Sequence, residues 1–199
     1  MRTNRRPDTL AALAGRSLVA MLAVAALAAM AACAPAATET EESAGPSVTN
    51  SELGITLTRV PEGFRVARNE GASLVLDHTD PEAPATLAIL VGPVQTAGLN
   101  LPDHVWEEKA RIEALPGGEY KGQNELAGAA IGTVYTSRGR YLGEDGEAVE
   151  EYRALAVHPR ENRLLTLDYE YPPTERTGER LQELMAVIEV IDAGGQPQP

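Results

Sequence analysis

Three histidines, one cysteine and several acidic pairs are the residues of this chain whose types could support chemistry. His78 sits in Leu76-Asp77-His78-Thr79-Asp80, where Asp77 and Asp80 could join it around a metal ion. No H-x-x-x-H or Cys/His spacing supports that reading, and Asp and Thr are ordinary turn formers. The segment therefore reads as a loop following a strand. His104 falls in the first turn of an expected helix and reads as solvated. His158 precedes Pro159 at an expected hairpin bend and reads as a surface residue. There is no G-x-S-x-G elbow, and neither Ser73 nor Ser137 has a base paired with it in sequence. Glu107-Glu108 and Glu150-Glu151 are adjacent pairs whose side chains diverge, which suits a solvated acidic face better than a glycosidase site. No glycine loop leads from a strand into a helix to cradle phosphate. The expectation is a chain with no catalytic residues, no metal site and no cofactor.

Cys33 has a context of its own. A basic leader with Arg2, Arg5, Arg6 and Arg16 precedes an uncharged apolar run that ends Leu27-Ala28-Ala29-Met30-Ala31-Ala32-Cys33. A basic start, a short apolar helix and small residues near its end are the parts of an export signal. The run from Ser17 to Ala32 is shorter than the roughly 20 residues that span a bilayer as a stable helix. The arrangement resembles the lipobox signal of bacterial lipoproteins, although Met30 stands where that family prefers leucine. The resemblance implies cleavage between Ala32 and Cys33, with lipid attached to the Cys33 thiol and often an acyl chain on the new amine. It also implies an anchored protein on the extracytoplasmic side of the bacterial envelope. In a Gram-negative cell, Ala34 in place of aspartate favours the outer membrane. Secretion after Ala29-Met30-Ala31 or Ala32-Cys33-Ala34 is the alternative. A sole cysteine excludes any disulfide within the chain.

The 199 residues carry a formal net charge of −12. Residues 1–32 hold four arginines and Asp8, so the remainder has 13 basic and 28 acidic residues and a net charge of −15. Such a surface repels nucleic acid and anionic lipid headgroups, so neither is expected as a partner. Residues 33–51 read as the lipidated cysteine and a flexible acidic tether. Residues 193–199 read as a disordered tail. Between them, residues 52–192 have the length of one domain.

The elements needed to position any site follow from periodicity. Leu53–Arg59 alternates, and Pro61-Glu62-Gly63 turns it into Phe64-Arg65-Val66. Ser73–Leu76 and Thr86–Val91 are short apolar runs bounded by glycine and proline, and they read as strands. From about Pro102 to Leu115, Leu101, Val105, Ile112 and Leu115 share one stripe at 100° per residue, which predicts a helix ended by Pro116-Gly117-Gly118. Ala129–Tyr141, Val149–Val157 and Leu164–Tyr171 read as an antiparallel meander with tyrosines in structural positions. A helix from about Thr174 to Ile191 closes the chain, its apolar side formed by Leu181, Leu184, Met185, Ile188 and Ile191. The fold class is α+β, with helices packed on an antiparallel sheet. Trp106 lies roughly 100° from the apolar stripe of its helix. Helices on sheets bury stripes broader than about 100°, so burial is expected, and exposure would mark a partner contact.

The phrase Gly54-Ile55-Thr56-Leu57-Thr58-Arg59-Val60-Pro61-Glu62-Gly63-Phe64 resembles the strand, Pro-x-Gly-aromatic, strand opening of PsbP-like domains. The family usually has tryptophan where this chain has Phe64. The order of elements over residues 53–191 is also similar. The resemblance implies an α/β/α sandwich and membership of a group dominated by binding and assembly modules, with no site residue to carry over. The functional expectation is a lipid-anchored, non-catalytic envelope protein that binds another protein. A small-ligand carrier with a pocket between sheet and helix, or a hydrolase assembled only in space, are the alternatives.

Overall fold

Among the described residues, alternating and apolar runs punctuated by glycine and proline form ten strands, and two amphipathic runs form helices. A computed structural model describes residues 45–129, 131–192 and 194. The leader, Cys33 and residues 34–44 lie outside the described residues, as do residues 195–199. The order is β1 (Val48–Asn50), β2 (Ile55–Leu57), β3 (Phe64–Glu70), β4 (Ser73–His78), β5 (Thr86–Val91), α1 (Leu101–Ala114), β6 (Glu119–Ala129), β7 (Gly132–Leu142), β8 (Ala148–Val157), β9 (Leu164–Tyr171), α2 (Thr177–Glu189) and β10 (Ile191–Asp192).

A seven-stranded sheet runs β3-β4-β5-β9-β8-β7-β6, and every neighbouring pair in it is antiparallel. A small sheet, β1-β2-β10, ties the start of the described chain to the residues after α2. Strand alternation sends successive side chains of the large sheet to opposite faces. On β8, Leu155 joins Leu101 and Val105 of α1, while Ala154 and Ala156 join Leu184, Val187 and Ile188 of α2. One helix thus covers each face, giving the α/β/α sandwich. The larger core lies under α2, where Leu74, Leu76, Leu87, Ile89, Leu165 and Leu167 are fully buried.

Two glycines set how closely α1 approaches the sheet. A Cβ at Gly139 on β7 would lie 2.6 Å from the Ile112 Cδ1 atom, so the helix rests on bare backbone there. A Cβ at Gly118 would lie 1.8 Å from the Ile112 carbonyl oxygen, so the exit from α1 requires glycine.

The structure departs from the sequence reading in several places. Val48–Asn50, inside the stretch read as tether, forms β1. Asn50 is buried and donates to Asn69 Oδ1 at 2.8 Å and to the Ser73 carbonyl at 3.2 Å, and its own Oδ1 accepts from the Leu53 amide. Those side-chain bonds hold a three-residue strand that its composition does not announce. β6 is an extra strand preceding the expected meander. The alternating stretch Leu53–Arg59 narrows to β2, and α2 starts three residues later than expected, beyond Pro172-Pro173.

Candidate functional site

Helix α1 presents a surface as well as a packing face. Trp106 is 65 % exposed, which overturns its expected burial. Pro102 and Ala110, one turn to either side of it, are exposed too, so the three form an apolar row on the outer side of the helix. The buried face broadens in the other direction, toward Glu108 and Arg111, so Trp106 is left outside. Lys109 Nζ lies 5.8 Å from the Trp106 ring and 3.9 Å from Glu113. Exposed Asp103, Glu107 and Glu113 give the row an acidic border.

Charged residues lock this helix to the sheet. Arg153 on β8 donates to Glu108 Oε1 at 2.7 Å and to Asp168 Oδ2 at 2.6 Å, with a second bond to Asp168 Oδ1. Arg111 donates to Glu108 Oε2 at 2.7 Å and to Glu151 Oε1. Burial pushes the Glu151 carboxyl above the usual carboxylate range, against the pull of Arg153 and Arg111. Burial raises Asp168 likewise, against its hydrogen bonds from Arg153. Glu151 Oε2 is buried with no hydrogen-bond partner among the described residues. Three acids and two arginines here join α1 to β8 and β9 alongside the apolar contact of Leu101 and Val105 with Leu155.

The histidines assemble no chemistry. His78 ends β4 and contacts Phe64 edge-on, with ring centres 5.5 Å apart. Its Nδ1 accepts from the Asp80 amide at 3.2 Å, and its Nε2 lies 3.6 Å from Glu183 on α2. Asp77 points to the other face, toward Arg65 and Thr86, so the Asp77, His78, Asp80 trio does not converge. Among the described residues no group of three or more His, Cys, Asp or Glu side chains could hold a metal. His104 pairs with Glu107 at 2.8 Å on the surface of α1. His158 is buried, contrary to its reading as a surface residue, because its ring lies against the backbone at Gly54 and its Nδ1 accepts from the Arg160 amide. Burial pushes its pKa down. None of the three hydrogen-bonds a serine or threonine among the described residues.

A second feature escaped the sequence reading. An open groove of about 810 Å³ runs beside β3, walled by Gly45 and Pro46, by the Arg59–Gly63 turn, and by Ala186 of α2. Phe64, Arg65 and Val66 complete it. Gly63, with φ of 82°, makes the turn into β3, closed by the Phe64 amide donating to the Pro61 carbonyl at 3.2 Å. The signal available in sequence was three arginines, Arg59, Arg65 and Arg68, close together in an acidic chain.

No protein-family model matches the chain, and no characterised protein matches it in sequence. Its fold has solved counterparts. The Ran-binding protein Mog1p of Saccharomyces cerevisiae superposes with a TM-score of 0.52 at 11 % identity, covering 75 % of this chain and 95 % of that one. Cyanobacterial PsbP from Synechocystis gives 0.51 at 13 % identity, covering 77 % and 95 %. LpqN, a Mycobacterium tuberculosis protein involved in cell envelope biogenesis, gives 0.47 at 15 % identity, covering 76 % and 86 %. The PsbP-like sandwich expected from the Pro61-Glu62-Gly63-Phe64 opening is therefore the fold observed.

Proposed function

We propose that this chain is a lipid-anchored envelope protein, held on the extracytoplasmic side of a membrane through Cys33, whose domain binds another envelope protein through the outer surface of α1. The observation that carries the binding reading is Trp106, largely exposed on a helix that ion pairs fix rigidly to the sheet. Tryptophan on a rigid support is the residue type that most often dominates a protein interface, because it brings large area at small conformational cost. The acidic border selects a partner surface that is apolar at its centre and basic at its edge. The carrier alternative needs an enclosed pocket between sheet and α2; Leu184, Val187 and Ile188 fill the core under the helix, and the groove bordered by Ala186 is open to solvent. The hydrolase alternative needs a nucleophile beside a histidine, and the described histidines lack one.

Two measurements test this. Mass spectrometry of the mature N-terminus is expected to find lipid on Cys33, and an unmodified chain starting elsewhere sinks the anchor. Crosslinking in cells, followed by pull-down, is then compared between the native protein and Trp106→Ala. A hot-spot residue contributes at least about 2 kcal/mol, so capture of the true partner falls more than tenfold. The same substitution leaves folding stability within about 0.5 kcal/mol, as expected for an exposed side chain. An unchanged set of partners at unchanged yield rejects the α1 surface.

A further inference from the structure

The mature chain is strongly acidic, yet residues 59–68 hold three arginines against one acid, Glu62. Arg59, Arg65 and Arg68 are all exposed. Arg65 meets Asp77 only loosely, at 3.4 Å, while Arg59 and Arg68 form no ion pair among the described residues. Glu70, at the far end of β3, is the next acid along the strand. The same sheet edge carries apolar surface: Pro46, Val60 and Phe64 line the groove and Val66 beside them is 37 % exposed, while Arg65 and Arg68 leave the strand on its other side. Basic side chains and accessible apolar surface along one exposed edge match the chemistry of a membrane interface, where cations meet phosphate and apolar groups enter the headgroup layer.

The position of this face adds to its chemistry. Gly45 and Pro46, which wall the groove, are where the described chain begins, and Cys33 stands twelve residues earlier. An extended chain of that length spans at most about 40 Å. A domain tethered at Cys33 therefore hangs from the very edge that bears the arginines. A partner strand is the competing occupant of an exposed sheet edge. Here β3 is bulged between Val66 and Arg68, and its Asn69 donates to the Thr49 carbonyl of β1, so the edge is blunted against strand addition.

We propose that the β3 edge, with Arg59, Arg65 and Arg68 beside Val66 and Pro46, docks the domain on an anionic lipid surface. The orientation rests on the reading that Cys33 carries lipid; the attraction itself does not. A net charge of −15 is no obstacle, since charges more than about 10 Å from the lipid are screened at about 0.1 M salt. Each arginine near an anionic surface contributes about fivefold in affinity, so three contribute about a hundredfold. That is too weak to anchor a protein alone and enough to orient one already held. Docked by this edge, α1, which packs over β6, β7 and β8 at the other end of the sheet, stands away from the membrane and leaves Trp106 free for a protein partner.

The test uses the mature chain from residue 33 with Cys33→Ser, so that no lipid contributes. Its affinity is measured by co-sedimentation with phosphatidylglycerol vesicles and with phosphatidylcholine vesicles at low salt. Binding is expected to phosphatidylglycerol alone and to fall about a hundredfold in R59Q/R65Q/R68Q. Val66→Asp, which changes no arginine, is expected to weaken it as well. Emission from Trp106 stays that of an exposed indole throughout, and far-ultraviolet circular dichroism with a cooperative thermal transition reports that each variant is folded. Equal binding to both vesicles, indifference to these substitutions, or a blue shift of Trp106 overturns the proposal. Saturable binding of monomeric short-chain phosphatidylglycerol with the same affinity also overturns it, making the groove a ligand site. Because the protein carries no lipid, a negative result counts against the docking face and leaves the Cys33 anchor to its own mass measurement.

Discussion

Gly139 shows how a single missing side chain can set the position of a functional surface. Its backbone receives the Ile112 side chain, and a Cβ there would also lie 2.9 Å from Ile112 Cγ2 and 3.0 Å from Cγ1. Three contacts this close to one branched side chain cannot be relieved by a single rotation. Gly139→Ala is therefore expected to cost about 1–3 kcal/mol by overpacking, measured by urea denaturation. Ile112→Val in the same chain should recover part of that loss, since it removes the nearest methyl. At this scale the sequence was informative about type and silent about environment. Ile112 was readable as buried from helical spacing. His158 was not, because its burial depends on Gly54, more than a hundred residues away in sequence. Trp106 was misread for a related reason. Periodicity placed it beside the apolar stripe, but the stripe widened on the flank where Glu108 and Arg111 meet the sheet.

At the scale of elements, α1 is held at one end by Leu101 and Val105 and along its flank by charges. Adjacent acids such as Glu107-Glu108 and Glu150-Glu151 gave the appearance of a solvated acidic face. The helix packing turns Glu108 inward, and the strand register, which sets Arg153 opposite Asp168 and Glu151 opposite Gly139, leaves Glu150 and Glu151 both buried, paired with Arg138 and Arg111. β6 was missed because Glu119–Ala129 is polar, contains two glycines and forms an edge, so neither alternation nor β-branched content marks it. The network makes two opposite demands on substitution. Arg153→Met leaves Glu108, Glu151 and Asp168 without their common partner and is expected to cost about 3–5 kcal/mol. Glu151→Gln instead removes one acid from a group with three acids and two arginines, and is expected to change stability by less than about 1 kcal/mol at neutral pH. Its signature is in pH dependence. Burial raises the folded-state pKa of Glu151, so the folded protein takes up this proton more readily than the unfolded chain. The native protein therefore gains stability from this group as pH falls through its raised pKa toward the ordinary carboxylate value, and loses that gain as pH rises. Glu151→Gln abolishes this contribution, so the difference in unfolding free energy between pH 7 and pH 5 should shift against the acidic side. An unchanged difference would show that Glu151 ionises normally in the folded protein.

Across the whole molecule the arrangement separates two kinds of charge. Internal pairs close α1 onto the sheet and α2 onto β9, where Arg180 donates to Tyr169 and Glu183. Exposed acids, in contrast, outnumber their partners, and the turn Gly143–Glu147 alone carries three of them without an arginine or lysine. The order of elements and the two-faced packing were legible because they depend on alternation and helical spacing. That is also why chains only 11 % and 13 % identical share the fold. The separation of charge was not legible, because composition sums over faces that never meet. It has a measurable consequence. If like-charge repulsion on the acidic surface opposes folding, added salt should stabilise the protein, since raising NaCl from about 0.01 to about 0.1 M shortens the screening length from about 30 to about 10 Å. The internal pairs are shielded from that change by burial. Each kcal/mol of repulsion relieved is expected to raise the thermal midpoint by about 3 °C for a domain of this size. A midpoint that falls over the same range would mean that exposed pairs such as Arg176–Glu179, which salt weakens, contribute more than the repulsion does.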